Sequence, residues 1–244
     1  PLRSARLSTL PPVYRRLWTQ PWGKVTREPF VNQIESTTGK SWSVASYLEV
    51  LNEISKRQQN SWPHFPHYEY LVYLRHHGFP SPFLDWSTSP YVTAYFAFEP
   101  QSNAERCAVY LFVKAPDGFE GTRVGLPAIY VQGPFVSTHS RHFAQKSWYT
   151  TATQWLEDRH VFVDHEQVYS DRQGEQDVLV KLTLPRSERI RALSQLEDLN
   201  INHYTLFQSE DSLIRTMSIR AFELEMADLP KPSDGEEAPP EGGG

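Results

Sequence analysis

Residues 70–98 read YLVYLRHHGFPSPFLDWSTSPYVTAYFAF, and the punctuation of this stretch decides the fold class. Tyr70, Leu71, Tyr73 and Leu74 fall at helical spacing and predict a helix over 67–76. It stops at Gly78, a residue suited to the left-handed position that follows a helix. Pro80 and Pro82 then impose a short extended crossing. Ser87-Thr88-Ser89 stands before Pro90, a residue at home in the first turn of a helix. Tyr91, Ala94, Tyr95 and Phe98 give that next helix its apolar face.

Working outward, Val44, Tyr47, Leu48, Leu51 and Ile54 predict an earlier helix over 43–59, capped by Ser43 and broken by Pro63 and Pro66. After Pro100 the character changes. Strands are predicted over 107–113, 128–131, 142–150 and 178–184, the last with Val178, Val180, Leu182 and Leu184 on one face. Two amphipathic helices follow, over 186–199 and 209–217, the second capped by Ser209. Residues 201–207 between them read as a brief strand or turn. Helices first and strands later point to an α+β domain rather than a parallel βαβ protein. The expectation is a single domain over 1–230, with N-terminal helices and one mixed or antiparallel sheet built from the segments around Cys107, Ala128, His142 and Asp177. Residues 231–244 set one lysine against Asp234, Glu236, Glu237 and Glu241 among prolines and glycines. They are expected to form a disordered acidic tail.

The chain has 244 residues and a net charge of −5. With the tail set aside the body is nearly neutral, which disfavours a nucleic-acid binder with a basic face. No apolar run approaches the ~18 residues of a membrane span. Cys107 is the only cysteine, which excludes an internal disulfide framework and favours a cytoplasmic protein. At the head of an apolar strand it reads as a small buried hydrophobe. His76 and His77 are neighbours on a helix and diverge by about 100°, so they are poorly placed to share a metal. No metal is expected. Oligomeric state is not written in the sequence.

The stretch from Tyr70 to Phe98 resembles the FRG domain, in which a helix ending in His-His-Gly leads through a proline turn to Leu-Leu-Asp-Trp-Thr-x-Ser-Pro. The matching residues are His76, His77, Gly78, Pro80, Leu84, Asp85, Trp86, Ser87, Ser89, Pro90, Ala94, Phe96 and Ala97. Downstream, Arg141-His-Phe-Ala-Gln145 is similar to the family's Arg-x-x-Ala-Gln-Gln-Gly strand. Leu199-Asn-Ile-Asn-His-Tyr-Thr-Leu-Phe207 is similar to its Leu-Gly-Ile-Asn-x-x-Thr-Leu-Phe turn. The chain also departs from the pattern. It has no Phe-Arg-Gly: either that signature lies upstream of Pro1, or Leu2-Arg3-Ser4 stands in its place. Ser81-Pro82 replaces a Thr-Arg pair, and Lys146-Ser147 replaces Gln-Gly.

A second resemblance, to the Arg–Ser–Glu layout of ADP-ribosyltransferases, implies an ADP-ribosyltransferase-like fold and a chemistry. Such enzymes bind NAD between two small sheets, break its nicotinamide–ribose bond and pass ADP-ribose to a macromolecule, including a protein acceptor, or to water. Cleaving that bond develops positive charge on the ribose. On this reading Gln145, Ser87 and Asp85 are catalytic, and Arg3, His76, His77, Ser87, Thr88, Ser89 and Arg141 hold NAD. Hydroxyls at a helix N-terminus suit a diphosphate, and Arg141 can grip a phosphate in fork geometry. Gln145 can hold the ribose 2′-OH but cannot act as a base. Asp177, in Gly174-Glu-Gln-Asp-Val-Leu179, is the alternative ribose-binding residue. The competing reading is a non-catalytic FRG module that binds a nucleotide or a protein partner on behalf of domains outside this chain. Ser87-Thr88-Ser89 as a plain helix cap, and Asp85 as a tie for the backbone after Gly78, are its structural counterparts.

Overall fold

A computed structural model describes residues 28–42, 44, 68–78, 83–114, 126–133, 140–156, 159–172 and 177–225. The helix expected over 43–59, Arg3, Pro80 and the tail over 231–244 lie outside these residues.

Two helices open the described chain, α1 (Glu28–Thr38) and α2 (Tyr68–His76). Six consecutive residues of α2, Tyr70 to Arg75, are buried, so this helix is covered all round rather than along one stripe. Trp42 packs on Tyr70 and Tyr73 at ring separations of 5.7 and 4.7 Å. Gly78 adopts φ +81°, the left-handed conformation that glycine enters without steric cost.

The crossing expected at Pro80 and Pro82 lies outside the described residues, which resume at Phe83. Leu84–Ser87 is a strand, β1, leading directly into α3 (Pro90–Phe98). Then come β2 (Arg106–Lys114), β3 (Ala128–Gln132), α4 (Ser140–Ala144), β4 (Ser147–Leu156), β5 (Arg159–Phe162), α5 (His165–Arg172) and β6 (Asp177–Pro185). The C-terminal helices are α6 (Arg189–Asp198), α7 (His203–Phe207) and α8 (Glu210–Ile219), and a π-helical turn over Arg220–Leu224 closes the described chain. No described helix is long and apolar enough to cross a membrane.

The fold is α+β, with antiparallel pairing throughout, but the single expected sheet is two. β4 is the centre of a four-stranded sheet in order β1-β4-β3, with β5 also on β4; β2 and β6 form a separate two-stranded ribbon. The segment expected as a strand over 142–150 begins as helix α4 and becomes strand only at Ser147. The break is the turn at Gln145–Lys146, where Lys146 takes φ +47°. The brief strand or turn expected over 201–207 is the helix α7. Asn202 accepts from the Thr205 N–H at 3.0 Å, and the Thr205 hydroxyl accepts from the Asn202 N–H at 3.1 Å. This reciprocal box satisfies two of the donors a helix start leaves open.

Register assigns the sheet's two faces. Directly opposed residues of an antiparallel pair point to the same side. Asp85 opposes Tyr149 and Ser87 opposes Ser147, while Gln132 opposes Tyr149. One face therefore carries Asp85, Ser87, Gln132, Ser147, Tyr149, Thr151 and Thr153, and α2 lies over it. The other carries Ile129 and Ala152, which pack on Val168 of α5 and on Phe112 of the ribbon. A second core joins Val92, Tyr95 and Phe98 of α3 to Leu193, Leu196, Leu206 and Ile219, with Cys107 and Leu184 of the ribbon against it.

Candidate functional site

Strand β1 and the cap of α3 place the central hydroxyls. The Ser87 hydroxyl donates to the Gln145 carbonyl at 2.7 Å and accepts from the Ser89 N–H at 3.1 Å. Ser89 is the N-cap of α3 and accepts from the Val92 N–H. Thr88 is exposed, and its backbone N–H reaches the Lys146 carbonyl at 3.2 Å. The end of β1 is thus stitched to the turn between α4 and β4, although more than fifty residues separate them in sequence.

The polar side chains around that stitch face inward. Asp85 forms an ion pair with Arg75 of α2 at 2.6 Å, with side-chain exposures of only 18% and 6%. Arg75 Nε donates to the same carboxylate oxygen at 2.7 Å. Two N–H groups on one carboxylate oxygen satisfy the buried charge and fix α2 against β1. Gln145 is 3% exposed, and its amide Nε2 donates to the Leu206 carbonyl of α7 at 3.0 Å. Arg141 Nε donates to the Phe207 carbonyl at 2.8 Å, its Nη1 reaches the His76 carbonyl at 3.4 Å, and its guanidinium lies over the Phe207 ring at 5.6 Å. One short helix, α4, ties the end of α2, the end of β1 and the end of α7 together.

The two adjacent histidines divide their roles. His76 Nε2 lies 2.8 Å from the Tyr149 hydroxyl, and His142 Nδ1 lies 3.3 Å from the same hydroxyl. A phenol can donate to one ring nitrogen and accept from the other. Burial, helped by the nearby Asp85 carboxylate, pushes the Tyr149 pKa well up, so it acts as a neutral hydrogen-bonding post. His77 is exposed at the rim. Its partial burial, with Arg141 and Lys40 nearby, lowers its pKa.

Of the residues singled out from sequence, Asp85, Ser87, Ser89, His76, Arg141 and Gln145 form one connected knot. Thr88 and His77 sit at its surface. Asp177 begins β6 in the ribbon, where it opposes Lys114. Among the described residues, no three His, Cys, Asp or Glu side chains group as a metal site would require.

Sequence reasoning missed Arg75, the partner of Asp85, and Tyr149, the post between two histidines. It also missed His165, whose Nε2 lies 2.8 Å from the Thr150 hydroxyl, which in turn accepts from Trp86 Nε1 at 2.8 Å. Arg75 was readable: a cation in the last turn of a helix that is otherwise buried needs a carboxylate. Tyr149 and His165 gave no such signal, since their partners come from distant strands.

No curated protein and no solved structure matches the chain. The family model of the FRG domain does, over residues 14–106. That span includes α2, β1, α3 and the whole Asp85–Ser89 block, and it ends as β2 begins. The Arg141–Gln145 and Leu206–Phe207 parts of the knot lie beyond it and dock onto it. By this match the chain is similar to the FRG domain over residues 14–106.

Proposed function

We propose that the chain is an FRG module that binds a nucleotide, NAD first among them, without turning it over. The observation that carries this reading is that the groups a transferase would need are already engaged inside the protein. The Asp85 carboxylate is paired with Arg75, and the Gln145 amide is bound to the Leu206 carbonyl. An amide also lacks the charge that stabilises a cationic ribose, a deficit of roughly 2–4 kcal/mol in a transition state. What the knot leaves at its surface suits binding. Thr88 and Tyr91 are exposed at the start of α3, and Phe143 and Lys146 are exposed beside them. A helix N-terminus favours a diphosphate, a lysine adds a cation, and aromatic faces suit a base.

The NAD-cleaving transferase, with ADP-ribose passed to a protein acceptor or to water, is the second reading. It is favoured by the meeting of Ser87 and Gln145 through one hydrogen bond and by the two small antiparallel sheets. Calorimetry with NAD and with ADP-ribose, run beside an assay for nicotinamide release, separates the two. The expected outcome is binding of NAD with no release. Release that disappears in Gln145→Ala and Ser87→Ala, and persists or rises in Gln145→Glu, establishes the transferase instead. No binding of either nucleotide removes the nucleotide from the proposal.

A further inference from the structure

The ribbon carries a bare apolar face. In its register Leu111 opposes Val180, Val113 opposes Val178 and Val109 opposes Leu182, so these six share one side. At the ribbon's other end, on the same side, Cys107 and Leu184 are packed against the helical core. Beyond them Leu111, Val113, Val178, Val180 and Leu182 are 52%, 38%, 42%, 39% and 49% exposed. Among the described residues β6 pairs only with β2, and a two-stranded ribbon is marginal without something against its apolar face.

A second bare surface lies on α8 and the turn that follows it. Ile219 of α8 faces inward into the helical core, while Leu213, Ile214 and Met217 face out with Phe222 beside them, the last three 65%, 55% and 70% exposed. The two surfaces are alike in chemistry: a sheet face with no charge on it, and a helix side on which Leu213, Ile214 and Met217 lie between Glu210 and Arg220. Helix on sheet is a standard way to bury both.

We infer that the chain forms a twofold dimer in which α8 of each copy packs on the β2–β6 face of the other. The reciprocal arrangement is what a closed twofold interface requires. Scaling the exposures above by residue size gives about 900 Å² of exposed surface on these residues per copy, were all of it covered, against the ~800 Å² per partner of a stable interface. Either surface alone gives about half of that and would leave the other in water. The inference does not depend on whether the knot binds a nucleotide.

Sedimentation velocity of the whole chain across about 1–200 μM tests it. The expected result is a monomer–dimer equilibrium within that range, weakened by more than about tenfold by Val180→Glu and, separately, by Ile214→Lys. An equimolar mixture of those two variants should recover the dimer. One contact is then native, and the other sets the new glutamate against the new lysine. Circular dichroism confirms that each variant is folded, and Leu182→Glu with Met217→Lys serve as replacements if either is not. A chain that stays monomeric throughout, a dimer indifferent to both substitutions, or a mixture that fails to reassociate overturns the proposal.

Discussion

Tyr149 and Val180 each occupy the middle of an antiparallel strand, yet their surroundings are reversed. Tyr149 is fully buried, with Thr151 and Gln132 buried on the same face and Asp85 opposite it in the register. Val180 is 39% exposed on a face that is aliphatic apart from Cys107 at its far end. The four-stranded sheet thus hides polar groups and the ribbon shows apolar ones. Burying polar groups is costly unless each finds a partner; Asp85, Tyr149 and Gln145 find theirs in Arg75, His76 and the Leu206 carbonyl, while Thr151 Oγ1 and Gln132 Nε2 are buried without one. Exposing aliphatics is ordinary singly and informative when they are contiguous. The comparison teaches that the polar interior is a device for joining distant segments, while the ribbon's face is surface kept for another molecule.

The largest expected effect comes from opening the polar interior. Asp85→Ala leaves the Arg75 guanidinium buried without its carboxylate and should destabilise the fold by about 3–5 kcal/mol, read as a lowered urea midpoint. An unchanged midpoint would mean that the ion pair does not hold α2 to β1.

Acid should act on the other face of the sheet, through His165 beside Thr150. Burial lowers its pKa to about 4, below the ordinary value of ~6.5 that it regains on unfolding. The unfolded chain therefore binds the proton more readily. This contribution is complete above pH ~6.5 and is lost as pH falls toward ~4, on the order of 3 kcal/mol in all. His165→Gln should flatten the stability profile across that window; a profile of unchanged slope would rule the histidine out as its cause.

Gly133 gives a sharper, local probe of how tightly the polar face is roofed. It takes φ +109°, and a Cβ there would lie 2.7 Å from the Tyr68 hydroxyl. Gly133→Ala should cost roughly 1–3 kcal/mol, from backbone strain and from the clash. That hydroxyl is buried without a hydrogen-bond partner, so Tyr68→Phe alone should cost little. In the double variant it should return part of the loss, and strictly additive effects would show that the two residues do not meet.

The smallest effect belongs to the ribbon. Val180→Thr, measured where the chain is monomeric, should shift stability by no more than about 0.5 kcal/mol. A loss comparable to that of Asp85→Ala would mean that this face is covered from within and that the contrast with Tyr149 is false.

Local chemistry made much of the fold legible. Gly78, Ser89, Pro90 and Ser209 set helix ends where the structure has them, because caps act within a few residues. The α+β class followed from element order. What could not be read was pairing. Nothing near Val109 or Leu182 says that they face each other rather than join the other strands, so one sheet was expected in place of two. The 142–150 segment misled for a related reason: its apolar and aromatic content suits a strand, but Arg141 and Gln145 had carbonyls to reach on α2 and α7, and a helical turn presents both on one side. Asn202 and Thr205 did carry a signal for α7, in the form of a capping box lacking its usual glutamate or glutamine. Within the knot, which residues come together was readable from the FRG resemblance; what each one bonds to was not. Gln145 reads as ready for a substrate until the Leu206 carbonyl is found against its amide.

The bonds from Arg141 and Gln145 to Phe207 and Leu206 also govern the order in which this chain can be made. The groups that complete the interior of residues 76–90 emerge from the ribosome well over a hundred residues later. Until α7 has been synthesised, the half-buried Arg141 guanidinium lacks its Phe207 acceptor and the buried Gln145 carboxamide its Leu206 acceptor, and the N-terminal part must wait in a looser state, exposed to chaperones and to proteases. Contacts of such long sequence separation also make for slow folding. The stretch that matches the family model is therefore not the unit that folds. A fragment cut at residue 106 would carry the signature and lack its native interior, whereas one ending after α8 would keep both.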